Sequence, residues 1–296
     1  MQHVAGPALS SRVGAYVALT KPRIIELLLV TTLPTMVVAQ RGLPPLWLMV
    51  ATLAGGALAA GGANAMNMVI DRDIDGVMGR TRNRPLVTGA VTPGHALVFA
   101  LVLEASAFVL LWSSVNPLSA VLAVSATTFY VFVYTLWLKR TSPSNIVIGG
   151  AAGAVPVLVG WAAVQETLGW APLVLFAVIF VWTPPHFWAL AVRYREDYAR
   201  ADVPMLPAVA SLHTTAVRIL IYSVILWALT LAFAPIGGMG LLYLAAATVL
   251  GGLFVWYAVE LLRMPSPERA MRLFTWSITY ITLLFGAMAL DQLLGW

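Results

Sequence analysis

Long apolar stretches alternate with short polar ones from one end of the chain to the other. A helix that crosses a bilayer needs roughly 20 mostly apolar residues. Stretches of that kind lie at 24–40, 46–70, 96–112, 118–138, 146–164, 173–192, 217–233, 241–261 and 273–290. Turn and helix-stop chemistry stands between them at Asn116-Pro117, at Ser142-Pro143-Ser144-Asn145, and at Pro235 followed by Gly237 and Gly238. The pattern predicts an all-α polytopic membrane protein with nine spans. No soluble domain fits between the spans, so 1–296 is expected to form a single intramembrane domain.

Composition agrees with a lipid solvent. Of 296 residues, 60% are hydrophobic and only 10% charged, more apolar surface than a soluble core of this size can hide. The 17 Lys and Arg residues then set the orientation, because basic residues near span ends stay on the cytoplasmic side. Arg12, Lys21 and Arg23 precede the first span, Arg72, Arg80, Arg82 and Arg84 follow the second, and Lys139 and Arg140 follow the fourth. Arg193, Arg195, Arg200 and Arg218 flank the loop after the sixth, and Arg263, Arg269 and Arg272 follow the eighth, which leaves Arg41 alone on the other face. This asymmetry predicts a cytoplasmic N-terminus, an external C-terminus and an odd number of spans.

The net charge of +5 is spread over membrane-edge loops. That distribution fits anionic lipid or an anionic substrate better than nucleic acid. The chain has no cysteine, which removes disulfides, thiolate metal sites and cysteine nucleophiles. Residues 1–18 lack the apolar run and cleavage site of a signal peptide, so the first span is expected to anchor the chain itself.

The densest polar segment closes the second span, where Asn67, Asp71 and Asp75 are spaced i, i+4, i+8 and Asp73 lies between. Each step of four turns a helix by about 400°, so the three form one oxygen-bearing stripe while Asp73 points elsewhere. Hard oxygen ligands of this kind suit Mg²⁺, which shares its coordination with substrate phosphates. Spacing alone allows a second reading equally well, in which the acids are solvated helix-end charges paired with Arg72, Arg80, Arg82 and Arg84. The arginines of Arg80-Thr81-Arg82-Asn83-Arg84 tip the balance toward an anion site, since guanidinium groups grip phosphate oxygens in bidentate geometry.

A second polar cluster closes the sixth span, from Trp182-Thr183-Pro184-Pro185-His186 to Arg193 and Asp197, on the same expected face as the first. The Pro pair is expected to bend or break the helix, with a cavity beside His186. His186 itself can contact a porphyrin, act as a base, or simply hydrogen-bond a neighbouring helix, and the last is favoured. Gly149, Gly150 and Gly153 read as a close helix-packing face. Trp47, Trp137 and Trp170 read as interfacial belts, and Trp182 and Trp188 as pocket candidates. Glu104 lies mid-span without a basic partner in sequence.

The NxxxDxxxD pattern of Asn67, Asp71 and Asp75 resembles the first aspartate-rich motif of the UbiA-type intramembrane aromatic prenyltransferase superfamily. Longer blocks, LTKPRI at 19–24, DRDIDGVMGRTRNRPLVTG at 71–89, YTLWLKRTSPSNIVIGGAAGAVP at 134–156 and WTPPHFWALAVRYREDYARADVPMLP at 182–207, are similar to the branch of that superfamily that prenylates heme. The second motif departs from the usual DxxxD, because Ala201 stands four residues after Asp197 and Asp202 five. A step of five rotates a side chain about 100° further, so Asp197 is carried over and Asp202 is not.

The resemblance implies nine helices around a central cavity, capped by the loops after spans two and six. It implies Mg²⁺ held by Asn67, Asp71, Asp75 and Asp197, with Arg80, Arg82, Arg84, Lys139 and Arg140 on the diphosphate. It also implies farnesyl diphosphate as donor and heme b as acceptor, with His186, Trp182 and Arg193 near the heme. Membrane lipid and heme A synthase are the implied partners, and the bacterial inner membrane the location. With no CxxCH segment and four histidines, heme is expected as substrate rather than prosthetic group. Two other classes share some of these features. A quinone or chlorophyll prenyltransferase would carry the same first motif, and a transporter for an anion would set its polar site near mid-membrane between related repeats.

Overall fold

The computed structural model describes residues 9–295. Residues 1–8, part of the stretch read above for a signal peptide, and residue 296 lie outside the described residues. Every described element is helical. In chain order they are α1 (Leu9–Thr20), α2 (Pro22–Gln40), α3 (Leu46–Ile70), α4 (Arg72–Val77), α5 (Pro93–Ser114) and α6 (Pro117–Thr128). A π-helical segment (Phe129–Leu138) and α7 (Lys139–Thr141) continue α6, and α8 (Asn145–Gln165), α9 (Trp170–Arg193), α10 (Arg195–Arg200) and α11 (Leu206–Val209) follow. The chain ends with α12 (Leu212–Gly237), α13 (Leu241–Arg263) and α14 (Pro267–Leu294). Eight helices are long and apolar enough to cross a membrane, and in α2 the describable apolar run is the shorter Leu29–Gln40.

Local chemistry explains where the helices begin. Asn116 accepts from Ser119 N at 2.8 Å in front of Pro117, and Thr92 and Ser266 cap α5 and α14 in the same way, each followed by proline at the first helical position. These are acceptors for otherwise orphaned N–H groups, joined to a residue that has no N–H to lose. Pro235 does not stop α12 as its sequence suggests. The helix runs through it to Gly237 and ends where Gly238 turns left-handed, at φ 63°.

Nor do Pro184 and Pro185 break α9. Both are buried in the most enclosed of the long helices, where packing on α8, α12 and α14 holds the chain helical. Thr183 Oγ1 donates to Ile179 O at 2.8 Å in the turn that leads into the Pro pair.

The interior joins α9, α12, α13 and α14 through Val178, Leu226, Phe233, Phe254, Tyr280 and Phe285, all essentially inaccessible. Small residues allow close approach elsewhere. A Cβ on Gly149 would stand 2.3 Å from the Tyr134 ring and one on Gly150 3.0 Å from Thr183, as the packing reading requires, whereas Gly153 faces open space. Large apolar residues face outward on α5, the least enclosed long helix, at Val98, Leu101, Val102 and Val109. Trp47, Trp137 and Trp170 are exposed near helix ends, where an interfacial belt would place them.

Candidate active site

α3 carries Asn67 in its last turn and passes to α4 at Asp71 (φ −87°, ψ 8°). The break is mild, because Asp71 N still donates to Asn67 O at 2.9 Å and Asp75 N to Asp71 O at 2.8 Å. The i, i+4 stacking therefore survives the junction. Asn67, Asp71 and Asp75 are 3%, 0% and 2% exposed, while the Asp73 side chain is 61% exposed. The stripe is buried rather than solvated, which removes half of the helix-end reading. Its other half, pairing with basic residues, holds with mostly different partners.

Arg84 Nη1 donates to both oxygens of Asp75, at 2.8 and 2.6 Å. Lys139 Nζ donates to Asp71 Oδ2, and Arg140 spans Asp73 with bonds of 2.8 Å from Nη1 and Nη2. Those bonds, ahead of all other influences, hold the Asp73 carboxyl below the usual carboxylate range. Arg140 Nη2 also donates to Ile70 O at 3.1 Å, which ties the end of α3 to α7. Lys21, in the left-handed joint between α1 and α2, donates to Asn67 Oδ1 at 2.7 Å. Burial, aided by Arg84 and Lys139, lowers its ammonium to about 7. Sequence showed Lys21 as a basic residue before the first span and as part of the LTKPRI block, with no signal for its contact.

The second cluster meets the first through the loop after α4. Asp197, on α10, accepts from Arg80 N at 3.3 Å and pairs with Arg200. Burial alone would raise the Asp197 carboxyl, but Arg200 and the Arg80 and Gly79 backbone outweigh it and hold it below its ordinary value. The Arg80 guanidinium lies 5.2 Å from the Tyr194 ring centroid. Tyr198 is buried with Ile74 and Met78. The two loops thus form one cap, yet Asp197 faces the Gly79–Arg80 turn, and Asp202 is exposed in a left-handed conformation at φ 51°. Of the three arginines between 80 and 84 expected on phosphate, Arg84 points inward, Arg80 lies on Tyr194, and Arg82 is exposed.

Aromatic packing flanks His186 where a cavity was expected. Its ring stacks on Trp182 and Phe274 at centroid distances of 4.3 and 4.7 Å and meets Phe187 edge-on. His186 Nδ1 shares a 2.7 Å hydrogen bond with Ser277 Oγ, and Trp182 Nε1 donates to Ser277 O at 2.9 Å. Both side chains therefore clamp α9 to α14, the neighbouring-helix role favoured from sequence for His186, whereas Trp182 reads from sequence as a pocket candidate. Arg193 is exposed at the end of α9 and lines an open cleft of about 430 Å³ with Tyr194, Arg195 and Pro267. Glu104 accepts from Thr127 Oγ1 at 3.1 Å, across α5 and α6.

The acid stripe fits a hard divalent cation. Asp71 Oδ1 is fully buried and accepts no hydrogen bond, with Arg140 Nη2 standing 3.7 Å away. A buried carboxylate oxygen without a donor is costly and calls for an explanation, and an oxygen-seeking cation supplies one. Among the described residues no three acidic or histidine side chains gather in one group. Asn67 and Asp71 are hydrogen-bonded to each other, Asp75 follows four residues on, and Asp197 lies on the cap against Arg80. The cationic groups around them, Lys21, Arg84, Lys139 and Arg140, suit a polyanion.

Comparison with known proteins bears on this arrangement. The model of the UbiA prenyltransferase family matches residues 28–284. A protoheme IX farnesyltransferase of Parafrankia sp. (strain EAN1pec) is 53% identical over 96% of this chain and 92% of its own length. Among solved structures, a digeranylgeranylglyceryl phosphate synthase superposes with a TM-score of 0.78 at 16% identity, over 95% of this chain and 98% of its own. A UbiA homologue from Archaeoglobus fulgidus, bound to GPP and Mg²⁺, superposes with a TM-score of 0.63 at 17% identity, over 93% and 99%. The helical bundle has the fold of these structures, and half-identity over nearly the whole length ties the chain to its relatives far more tightly than fold alone. This chain is a multi-pass membrane prenyltransferase that belongs to the UbiA prenyltransferase family.

Proposed function

We propose that the chain transfers the farnesyl group of farnesyl diphosphate to a vinyl group of protoheme IX (heme b), giving heme O and diphosphate. The relative named for that reaction, 53% identical, supports the choice of donor and acceptor. The observation that carries the site is the buried, interlocked set of carboxylates and cations around Asp71, in which Asp71 Oδ1 has no hydrogen-bond donor. Asn67, Asp71 and Asp75 are the residues that would hold Mg²⁺, with Asp197 closing over them on the cap. Bound there, the metal supplies charge neutralisation for a diphosphate leaving group.

The chain's own groups do the rest. A diphosphate accompanied by a cation brings both signs of charge, so Lys139, Arg84 and Arg140 can pass from carboxylate to phosphate oxygens as the acids take the cation. Arg80 and Arg82, nearer the surface, add to the field that draws the diphosphate in. The allylic C–O bond then breaks with its electron pair leaving on the diphosphate, whose charge the fixed cations stabilise. The vinyl carbon bonds to the allylic carbon, and water adds to the resulting cation and loses a proton, leaving a hydroxyethylfarnesyl substituent. The helices exclude water from the allylic cation until that step.

The same reading takes 1–296 as one domain, with the expected central cavity receiving the farnesyl chain and His186, Trp182 and Arg193 at its heme side. It also takes a cytoplasmic N-terminus in a bacterial inner membrane, and heme A synthase as the enzyme that receives the product. The contacts among Lys21, Asp71, Lys139 and the Asp197 cap support this orientation, since they draw the joints before the first span and after the second, fourth and sixth to one end. The test is incubation of purified protein with heme b, farnesyl diphosphate and Mg²⁺, followed by mass analysis of the extracted heme. Metal-dependent heme O is expected. Prenylation of a quinone precursor with no change in heme would overturn the acceptor and move the chain to another branch of its family.

A further inference from the structure

Thr135 lies in the π-helical segment and is inaccessible to solvent. Its hydroxyl has one proton and two lone pairs to place. The proton goes to the carbonyl of Tyr130, five residues back, at 2.9 Å. What Thr135 offers its neighbours is then a lone pair, and it accepts from Asn67 Nδ2 at 3.1 Å. Asn67 Nδ2 also donates to Asp71 Oδ2, at 2.7 Å, and Asn67 Oδ1 accepts the Lys21 ammonium, at 2.7 Å. All three partners impose the same sense on the amide: NH₂ toward Thr135 and Asp71, carbonyl oxygen toward the cationic side.

Two of those partners are charged groups that exchange when diphosphate and cation arrive, so neither can keep the amide oriented throughout. Thr135 is neutral, and its hydroxyl is pinned to the backbone of its own helix. π-Helical turns are rare and recur at functional sites, and this one places a hydroxyl, rather than an alkyl group, opposite the amide.

We propose that Thr135 is a positioning residue: held by the π-helical turn, it keeps the Asn67 carbonyl oxygen turned toward the cation while Asp71 and Lys21 change partners. The inference rests on the metal-and-diphosphate reading of this cluster. Thr135→Val keeps the branched shape but leaves one Asn67 N–H without an acceptor and the amide free to turn. Thr135→Ser keeps the hydroxyl and loses only a methyl group.

The experiment measures equilibrium binding of labelled farnesyl diphosphate to purified protein, without acceptor, as Mn²⁺ is varied. Partners that orient a metal ligand typically contribute 10–100-fold to affinity. Thr135→Val is expected to raise the half-saturating Mn²⁺ concentration about 10-fold, with full binding recovered at excess Mn²⁺ and the heat-unfolding midpoint preserved. Thr135→Ser is expected to stay close to the unaltered protein. An unchanged Mn²⁺ requirement in Thr135→Val, or an equal shift in Thr135→Ser, overturns the assignment, the second outcome pointing to packing alone. If the unaltered protein binds farnesyl diphosphate regardless of Mn²⁺, the metal reading fails and the inference falls with it.

Discussion

Two of the carboxylates sealed inside this bundle, Asp71 and Asp291, are held by different means. Asp291, 1% exposed near the end of α14, accepts from the backbone of Gly240 at 2.6 Å and of Tyr243 at 3.1 Å, and so caps α13. Backbone N–H groups at a helix start cannot leave, and the positive end of the helix dipole favours the charge. Asp71, 0% exposed, is held by the tip of a lysine and an amide, with its second oxygen left without a hydrogen bond. Burial alone does not distinguish an architectural acid from a working one. The partner does: fixed donors mark architecture, and exchangeable cations mark a group available to a ligand.

The sharpest way to break this comparison is to neutralise each acid in turn. Asp71→Asn is expected to lower prenyl transfer by on the order of 10²–10³-fold with the heat-unfolding midpoint little changed, read as turnover beside a thermal scan. Asp291→Ala should do the reverse, losing about 2 kcal/mol of stability through the lost cap while the protein that remains folded turns over normally. If Asp291→Ala abolished turnover in folded protein, the contrast would collapse.

Arg84→Gln tests the exchange itself. Its expected effect is a rise of about 10-fold in KM for farnesyl diphosphate, the loss of one charge-assisted contact, with KM for heme unmoved. A rise confined to heme KM would put Arg84 on the acceptor instead.

The smallest effect is expected at exposed Asp73, whose pairing with Arg140 lies in reach of water. Its carboxyl is held below the ordinary value of about 3.9, so its contribution to stability is present above that value and lost as pH falls through the lowered one. Thermal scans should therefore show a small, constant difference between the unaltered protein and Asp73→Asn above about pH 5 that disappears in stronger acid. A difference growing toward neutral pH would contradict the pairing.

Eight of the nine expected spans stand where the sequence put them, because lipid imposes a length on every apolar stretch and caps such as Asn116-Pro117 carry their own chemistry. The NxxxDxxxD stripe was legible for the same reason, since helical period fixes which residues align. Apart from Arg84, its partners were not: Lys139 reaches Asp71 from 68 residues away, a meeting that only helix packing decides. The short α1, whose Leu19 packs with Ala65 and Met68 of α3, and the π-helical turn that aims Thr135 also depend on neighbours. Pro184 and Pro185 misled because a proline's effect on a helix is set by what surrounds it. The transporter alternative loses ground on position, as the interlocked charges stand at the ends of α3 and α7 rather than mid-span.

Central to the proposed function is the exchange of partners between the charges around Asp71 and a metal-bound diphosphate. It is tested most directly by measuring equilibrium binding of farnesyl diphosphate to the unaltered protein and to Asp71→Asn, with Mg²⁺ present and after chelation. Tight binding by the unaltered protein that is lost on chelation is expected, and weak binding by Asp71→Asn in both conditions. Equal binding by the two proteins, indifferent to Mg²⁺, would contradict it.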